Sequence, residues 1–125
     1  MKKIIFTENA PKPIGPYSQA VQAGQLLFCS GQVPLDPQTG EVVSQNVVEQ
    51  AQQVMKNLQA VLNAADYDWG SVVKTTIFLK SMSDFPKVNE VYSSYLKTEP
   101  PARSTIEVSR LPKDVLVEIE MIASR

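Results

Sequence analysis

The sequence of 125 residues contains no histidine and a single cysteine, Cys29. Without histidine, a serine-protease-like triad with a His base and a His-ligated metal site are both excluded. One cysteine among scattered carboxylates makes a poor zinc site, and it cannot form a disulfide within the chain. Catalysis would therefore have to use Arg, Glu, Tyr, Ser, Thr and backbone groups, with no metal or other cofactor.

Excess charge and long apolar runs are also missing. The net charge is −1, so no basic surface is available to neutralise a phosphate backbone, and nucleic-acid binding is disfavoured. No apolar run approaches the roughly 18 residues that span a bilayer. The apolar start of the chain is too short for the core of a signal peptide. Together with the lone cysteine, these features indicate a cytoplasmic protein that does not act on a membrane. The glycines lie apart, which excludes a glycine-rich phosphate loop: Gly15, Gly24, Gly31, Gly40 and Gly70.

What remains is ordinary globular composition, with 43% hydrophobic and 20% charged residues, and a length typical of one domain over residues 1–125. Apolar residues at three- and four-residue steps from Val47 to Ala65 predict a long helix. Asn46 is its expected N-cap, with Glu49 completing a capping box. A second helix is predicted from Phe85 to Leu96, with Ser83 as its cap. Short runs with β propensity predict six strands, at residues 4–7, 17–22, 26–30, 71–80, 103–109 and 115–123.

This order of elements, β-β-β-α-β-α-β-β, predicts an α+β fold. Two helices cannot cover both faces of a six-stranded sheet, so both are expected on one face, against Val117, Ile119 and Met121. The opposite face would carry Leu116, Ile122 and two carboxylates, which is too apolar for bulk water and too polar for a dry core. We expect that face to meet other subunits, with polar clefts between them.

Arg103 and Glu118 are the first candidates for chemistry. Arg103 lies where the chain enters a strand, after two prolines, and its planar fork could bind a carboxylate through two hydrogen bonds. A surface Arg in a weak ion pair is the plainer interpretation. Glu118, with Glu120 on the same strand face, lies either in a functional cleft or in solvent. Paired carboxylates also occur in glycosidases, but a sugar-binding groove lined with aromatics is missing.

Five further residues are weighed between a functional and a plain interpretation. Tyr17 could donate a hydrogen bond or close a pocket, or it could be a half-buried strand residue. Ser30 and Gly31 end a strand where a ligand could approach the backbone, or they form a simple turn or bulge. Asn89 is expected on an exposed helix face. Cys29 is interpreted as a small buried hydrophobe rather than a nucleophile.

The sequence also resembles a known family. The stretch Pro101–Ser104, followed by residues 106–114 with Arg110-Leu111-Pro112-Lys113-Asp114 and then by 117–119, is similar to the signature of the RidA (YjgF) family. The similarity continues through residues 8–11, 14–18 with Ile-Gly-Pro-Tyr, 30–34 and 88–92. It covers essentially the whole chain without a large insertion.

The resemblance implies a chorismate-mutase-like α+β fold and a homotrimer whose sheets form a barrel-like core, with three clefts between subunits. It implies hydrolysis of 2-imino acids to 2-keto acids and ammonia, which protects pyridoxal-phosphate enzymes from such imines. By analogy, Arg103 would hold the substrate carboxylate and Glu118 would position or activate water. Tyr17 would act beside them, and Ser30, Gly31 and Asn89 would line the cleft.

Thr105 is a departure from the family pattern, because many members carry Cys at this position. If the position acts through its backbone N–H, Thr serves equally well in substrate binding. Two alternatives stay open: a regulatory or chaperone-like trimer that binds a small carboxylate without turnover, and a structural trimer. A chorismate-mutase-like enzyme would need several cationic groups, and the sequence offers one well-placed Arg.

Overall fold

The computed structural model describes residues 1–125 as one six-stranded sheet and two α-helices. The sheet order is β1-β2-β3-β6-β4-β5, and only the β4–β5 pair is parallel. The predicted α+β class, element order and six-stranded sheet are confirmed, and the sheet is mixed. The strands are β1 (Lys2–Ile5), β2 (Ala20–Ala23), β3 (Leu26–Gln32), β4 (Val72–Leu79), β5 (Ala102–Glu107) and β6 (Val117–Ser124), and the helices are α1 (Val47–Ala64) and α2 (Phe85–Tyr95).

The predicted N-cap is correct for α1 and wrong for α2. Asn46 caps α1 as expected, since its Oδ1 accepts a hydrogen bond of 3.1 Å from the Glu49 N–H. The second bond of a capping box is replaced, because the Asn46 N–H donates to the Ser44 hydroxyl. The prediction that Ser83 caps α2 is wrong. Ser83 lies inside a 3-10 turn over Met82–Asp84 that runs directly into α2.

The predicted strand over residues 17–22 is shorter in the structure. Gly15 has φ of +116°, a conformation that favours glycine, and the Tyr17 N–H donates to the Gly15 carbonyl at 3.0 Å. This tight turn delays the start of β2 to Ala20. Tyr17 therefore lies in a loop rather than in the sheet, with its side chain 53% exposed.

Both helices pack on one face of the sheet, as predicted. The alternation of β6 buries Val117, Ile119 and Met121 in the same core cluster as the apolar stripe of α1. Fully burying one such side chain contributes about 1.5–3 kcal/mol. The repeated large side chains of this layer therefore fix which face of the sheet the helices cover. Neither helix has the length and apolarity that crossing a membrane would require.

Two buried amides of α1 attach neighbouring loops to this core. Gln50 accepts a hydrogen bond from the Leu116 N–H at 2.8 Å and donates to the Ser44 carbonyl at 2.9 Å. Asn57 donates to the carbonyls of Val33 and Leu35, each at 3.1 Å. An unpaired buried amide would cost about 1–3 kcal/mol, so these loops have one favoured position beside the sheet.

The other face of the sheet has no helix over it. Apolar side chains on this bare face remain accessible, with Ile4 53%, Phe28 43% and Ile106 44% exposed. Strand β5 forms one edge, and five of its six residues are exposed. A broad apolar face beside an exposed edge strand is unusual for a monomer and typical of a surface that meets another chain.

Candidate active site

The site begins at an irregularity in β3. The pairing of β3 with β6 shifts register between Cys29 and Gln32, so Ser30 and Gly31 lie in a bulge. A Cβ placed on Gly31 would lie 3.0 Å from Glu118 Cδ and 3.1 Å from Glu118 Cγ, and closer still to one carboxylate oxygen. Gly31 has no positive φ that would require glycine. Its missing side chain instead leaves the space that the Glu118 carboxylate occupies.

A cavity of about 480 Å³ opens in front of this pair. Four of the residues predicted for the site lie in its wall: Tyr17, Ser30, Gly31 and Glu118. Two lysines from separate loops also line it, Lys12 and Lys113. The sequence-based prediction therefore found residues that are far apart along the chain and close together in the fold.

Glu118 is the titratable group whose environment stands out in this cavity. It is half-buried on the bare face of β6, and its removal from water raises the pKa of its carboxyl above the ordinary value. The neighbouring negative charge of Glu120 raises this pKa further. A carboxylate with a raised pKa, facing a cavity, is a stronger proton acceptor than one in open water.

Tyr17 and Ser30 occupy defined positions in the cavity wall. The Tyr17 hydroxyl accepts a hydrogen bond from the Ile14 N–H at 3.4 Å, so its own proton is free to be donated. The Ser30 hydroxyl donates to the Ser18 carbonyl at 2.6 Å. A ligand could therefore receive a hydrogen bond from Tyr17, whereas Ser30 offers the lone pairs of its hydroxyl.

Gln19 is a buried residue that the sequence analysis did not single out. Its Oε1 accepts from the Thr7 N–H at 2.7 Å, and its Nε2 lies within hydrogen-bonding distance of the carbonyls of Thr7, Ala10 and Pro11. One side chain thus anchors the loop that leads to Lys12 on the cavity wall. No local pattern marks this role, because it depends on a loop eight to twelve residues away. Lys12 and Lys113 were also missed, since isolated loop lysines look like ordinary surface residues.

Arg103 lies elsewhere in the chain, at the edge strand β5. Its Nη1 donates to Asn89 Oδ1 at 2.7 Å. Its guanidinium carbon lies 5.2 Å from the centroid of the Phe85 ring and 5.0 Å from that of Tyr92. Arg103 is exposed overall, so donors that are not bonded to Asn89 can reach a ligand.

Arg103 and Glu118 lie on opposite faces of the sheet. Arg103 pairs with Thr75, a buried residue that contacts Tyr92 of α2, so it lies on the helix-covered side. Glu118 pairs with Phe78 and faces the bare side. Arg103 does not line the cavity that contains Glu118. Within one chain, the predicted residues therefore form two half-sites, one around Glu118 and one around Arg103 with Asn89.

Thr105 and Cys29 are the remaining residues that the sequence analysis discussed. Thr105 is half-buried on β5 opposite Ile77, on the same side of the strand as Arg103. Cys29 is buried, and its removal from water raises the pKa of its thiol to about 12. Cys29 is therefore a core residue, as the sequence indicated. No cluster of three or more His, Cys, Asp or Glu side chains suited to a metal ion is found in the chain.

Comparison with known proteins shows which family the chain resembles in sequence and fold. The family model Endoribonuclease L-PSP matches residues 7–125. A RutC family protein of Pyrococcus horikoshii is 58% identical over 98% of both chains. Reactive Intermediate Deaminase A of Arabidopsis thaliana chloroplasts is 48% identical over 98% of this chain and 66% of its own length. The crystal structure of E. coli TdcF with bound serine superimposes with a TM-score of 0.94, at 44% identity and 98% coverage of each chain.

The fold defines a small α+β protein with two helices on one face of a six-stranded mixed sheet. The chain belongs to the Endoribonuclease L-PSP family, which includes the RutC and RidA (YjgF) proteins. The resemblance seen in the sequence is confirmed at the level of the family.

Proposed function

We propose that the protein hydrolyses reactive 2-imino acids, such as 2-iminobutanoate and 2-iminopropanoate, to 2-keto acids and ammonia. The observation that carries this proposal is Glu118, a carboxylate with a raised pKa on the wall of a cavity large enough for a small acid. The family relationship to a reactive intermediate deaminase supports the same reaction class. Hydrolysis of an imine needs no oxidant, reductant or metal.

The proposed active site is shared between chains. Arg103 and Glu118 cannot meet within one subunit, because they lie on opposite faces of the sheet. We propose a homotrimer in which the bare faces pack together and the edge strand β5 of one subunit approaches the Glu118 cavity of the next. The exposed apolar side chains of that face supply the driving force for association.

The proposed mechanism uses one cation and one base. Arg103 holds the substrate carboxylate with its free N–H donors, which orients the C=N carbon toward Glu118. Glu118 takes a proton as water adds to that carbon, and the C=N electron pair moves to nitrogen. Glu118 returns that proton to the nitrogen of the tetrahedral intermediate and then transfers the hydroxyl proton to the same nitrogen, so that the C–N bond breaks as C=O forms and ammonia leaves. General-base help of this kind is typically worth about 10²–10⁴-fold.

The direct test supplies the imine in the assay. An amino-acid oxidase or a threonine dehydratase generates the imine with and without the purified protein, and a semicarbazide trap reports what remains. The wild type should cut the trapped fraction, and Arg103→Ala should remove nearly all of this activity while the oligomer persists. Arg125→Ala is a matched control, because Arg125 contacts the Tyr67 ring and donates to the Asp66 carbonyl, and it lines neither the Glu118 cavity nor the surroundings of Arg103. Wild-type deamination by Arg103→Ala would refute the role of Arg103.

The oligomer is tested separately by light scattering during size-exclusion chromatography. The proposal expects three times the 13.8 kDa mass of one chain. Phe28→Asp, which places a charge in the bare face, should shift the protein toward monomer and abolish turnover. A monomeric wild type with full activity would overturn the shared-site proposal.

Binding of a small carboxylate without turnover is the main alternative. The structure of TdcF holds serine, which is an amino acid with the same carboxylate that Arg103 would grip. Under this alternative, 2-ketobutyrate would bind in calorimetry but the trapped imine would not decrease. RNA cleavage, which the family model's description mentions, is tested by incubating the protein with a single-stranded RNA. The net charge of −1 and the missing histidine disfavour that activity.

A further inference from the structure

Three residues on one side of α2 surround the Arg103 side chain. Phe85, Asn89 and Tyr92 follow one another at steps of four and three residues, so they share a helix face. This face is turned toward the start of β5, where Arg103 lies. Arg103 therefore contacts an aromatic ring, an amide and a second aromatic ring from a single element.

Tyr92 is itself held in place from the other side. Its hydroxyl forms a hydrogen bond of 2.7 Å with the Thr75 hydroxyl, and both residues are buried. Thr75 lies on β4, directly beside Arg103 on β5 in the parallel ladder. The ring that Arg103 contacts is thus anchored to the strand next to Arg103, and it has little freedom to move.

We infer that Tyr92 and Phe85 are positioning residues that hold the Arg103 guanidinium in the orientation required to bind a substrate carboxylate. Cation–π contact with two rings restrains the plane of the guanidinium, and the bond to Asn89 fixes one of its nitrogens. The donors left free then point in one direction before substrate arrives. This inference rests on the proposed function for its substrate, and its physical core is the ordering of Arg103.

The restraint matters because a free Arg side chain loses much rotamer freedom when it binds. An exposed Arg that is already ordered pays little of that entropy on forming a two-pronged bond with a carboxylate. Since the carboxylate is held in both the bound substrate and the transition state, loss of the restraint should weaken binding more than chemistry. The effect should therefore appear in KM.

The kinetic test replaces Tyr92 in the assembled protein. Tyr92→Leu should raise KM for 2-iminobutanoate about tenfold and change kcat by less than about threefold. Tyr92→Phe keeps the ring and should stay within about threefold of wild-type KM. Tyr95→Leu is the matched control, because Tyr95 lies on the same helix but packs against Trp69, with ring centroids 5.3 Å apart. Equal losses in Tyr92→Leu and Tyr95→Leu would contradict the inference.

A second measurement needs no substrate. NMR relaxation of the Arg103 Nε–H group should give an order parameter near the rigid-backbone value of about 0.85 in the wild type and Tyr92→Phe. In Tyr92→Leu it should fall below about 0.6, whereas Tyr95→Leu should leave it unchanged. A mobile Arg103 in the wild type, or an equally ordered Arg103 in Tyr92→Leu, would overturn the inference even if the enzyme is a deaminase.

A double-mutant cycle with Arg103→Lys links the two measurements. Lysine keeps the charge but has no planar fork for the rings to orient, so Tyr92→Leu should have almost no further effect on 2-ketobutyrate affinity in that background. If Tyr92→Leu still weakened 2-ketobutyrate binding about tenfold in the Arg103→Lys background, Tyr92 would act without Arg103. If the wild type neither turns over imine nor binds 2-ketobutyrate, the proposed function fails, and the NMR result alone decides the positioning role.

Discussion

Replacing Gly31 by alanine gives the sharpest test of Glu118. The new methyl group would lie 3.0 Å from Glu118 Cδ and 3.1 Å from Glu118 Cγ, well inside ordinary carbon–carbon contact, and nearer still to a carboxylate oxygen. Gly31 is not in the left-handed region of φ, so the backbone accepts alanine without strain. The Glu118 side chain must therefore rotate away, and its carboxylate moves by about an ångström or more.

Such a displacement has a predictable cost in rate. A reacting group that is misplaced by about 1 Å can lose about 10²-fold in catalysis, which corresponds to about 2.7 kcal/mol of transition-state stabilisation. We expect kcat for 2-iminobutanoate to fall by about that factor in Gly31→Ala. Overpacking should lower the free energy of unfolding by about 1–3 kcal/mol, which leaves a folded protein. Binding of 2-ketobutyrate should change less than kcat, because in the proposed mechanism Arg103 holds the carboxylate.

The assay compares four variants with the wild type by imine trapping, with circular dichroism to confirm folding. Gly70→Ala is the control, since a Cβ there meets only the Asp68 carboxylate, at 3.2 Å, away from the cavity. Glu118→Gln and the double variant Gly31→Ala/Glu118→Gln complete the set. If alanine acts by displacing Glu118, the double variant should be no slower than Glu118→Gln alone. A folded Gly31→Ala with wild-type kcat would refute the role of Glu118 as base.

Three further predictions concern titratable groups. Because burial and Glu120 raise the pKa of Glu118, kcat should fall as pH decreases through that raised pKa. Glu118→Gln should be slow at every pH and should lose this dependence, while it still binds 2-ketobutyrate. The same fall in kcat at low pH in Glu118→Gln would contradict the role of Glu118 as the base. The folded state then binds this proton more tightly than the unfolded state. The contribution of Glu118 to stability is therefore lost as pH rises from the ordinary Glu value through the raised pKa. Chemical denaturation at several pH values should show that the free energy of unfolding depends less steeply on pH in Glu118→Gln. Since burial raises the pKa of Cys29 to about 12, its thiol should react with iodoacetamide at pH 8 far more slowly in the folded protein than in urea; equal rates would show that Cys29 is accessible.

The sequence predicted the periodic elements well. Apolar residues recur every three or four positions from Val47 to Ala65 and every second position in β6. Each pattern arises because one face of one element packs on the core, so the local sequence is sufficient to predict the element. The sequence predicts the start of β2 too early. The turn before β2 depends on the φ of +116° at Gly15, and the sequence Ile-Gly-Pro does not reveal this dihedral angle. The sequence predicts Ser83 as a cap because the 3-10 turn that precedes α2 has no distinct sequence signal.

The site was predicted as a set of residues rather than as a geometry. The sequence indicates Tyr17, Gly31, Arg103 and Glu118 as candidates and the family resemblance implies their roles, but two of their spatial relations come only from packing. The contact between Gly31 and Glu118 depends on a register shift between β3 and β6. The stacking of Arg103 depends on how α2 crosses the edge of the sheet. Both are long-range features, and neither leaves a local pattern in the sequence.

The placement of the two half-sites also bears on why the chain has a bare sheet face. A base that faces solvent would be ionised and fully hydrated, with an ordinary pKa, whereas Glu118 is already half-buried in a single subunit. Covering the bare face with a second subunit would remove more water from Glu118, which by itself raises its pKa, whereas the approaching Arg103 cation would lower it. The same contact would bring β5, with Arg103 pre-oriented by Tyr92, against the cavity. In the proposed trimer, the apolar burial that stabilises assembly therefore also tunes the base and completes the carboxylate site, so that dissociation should abolish both together.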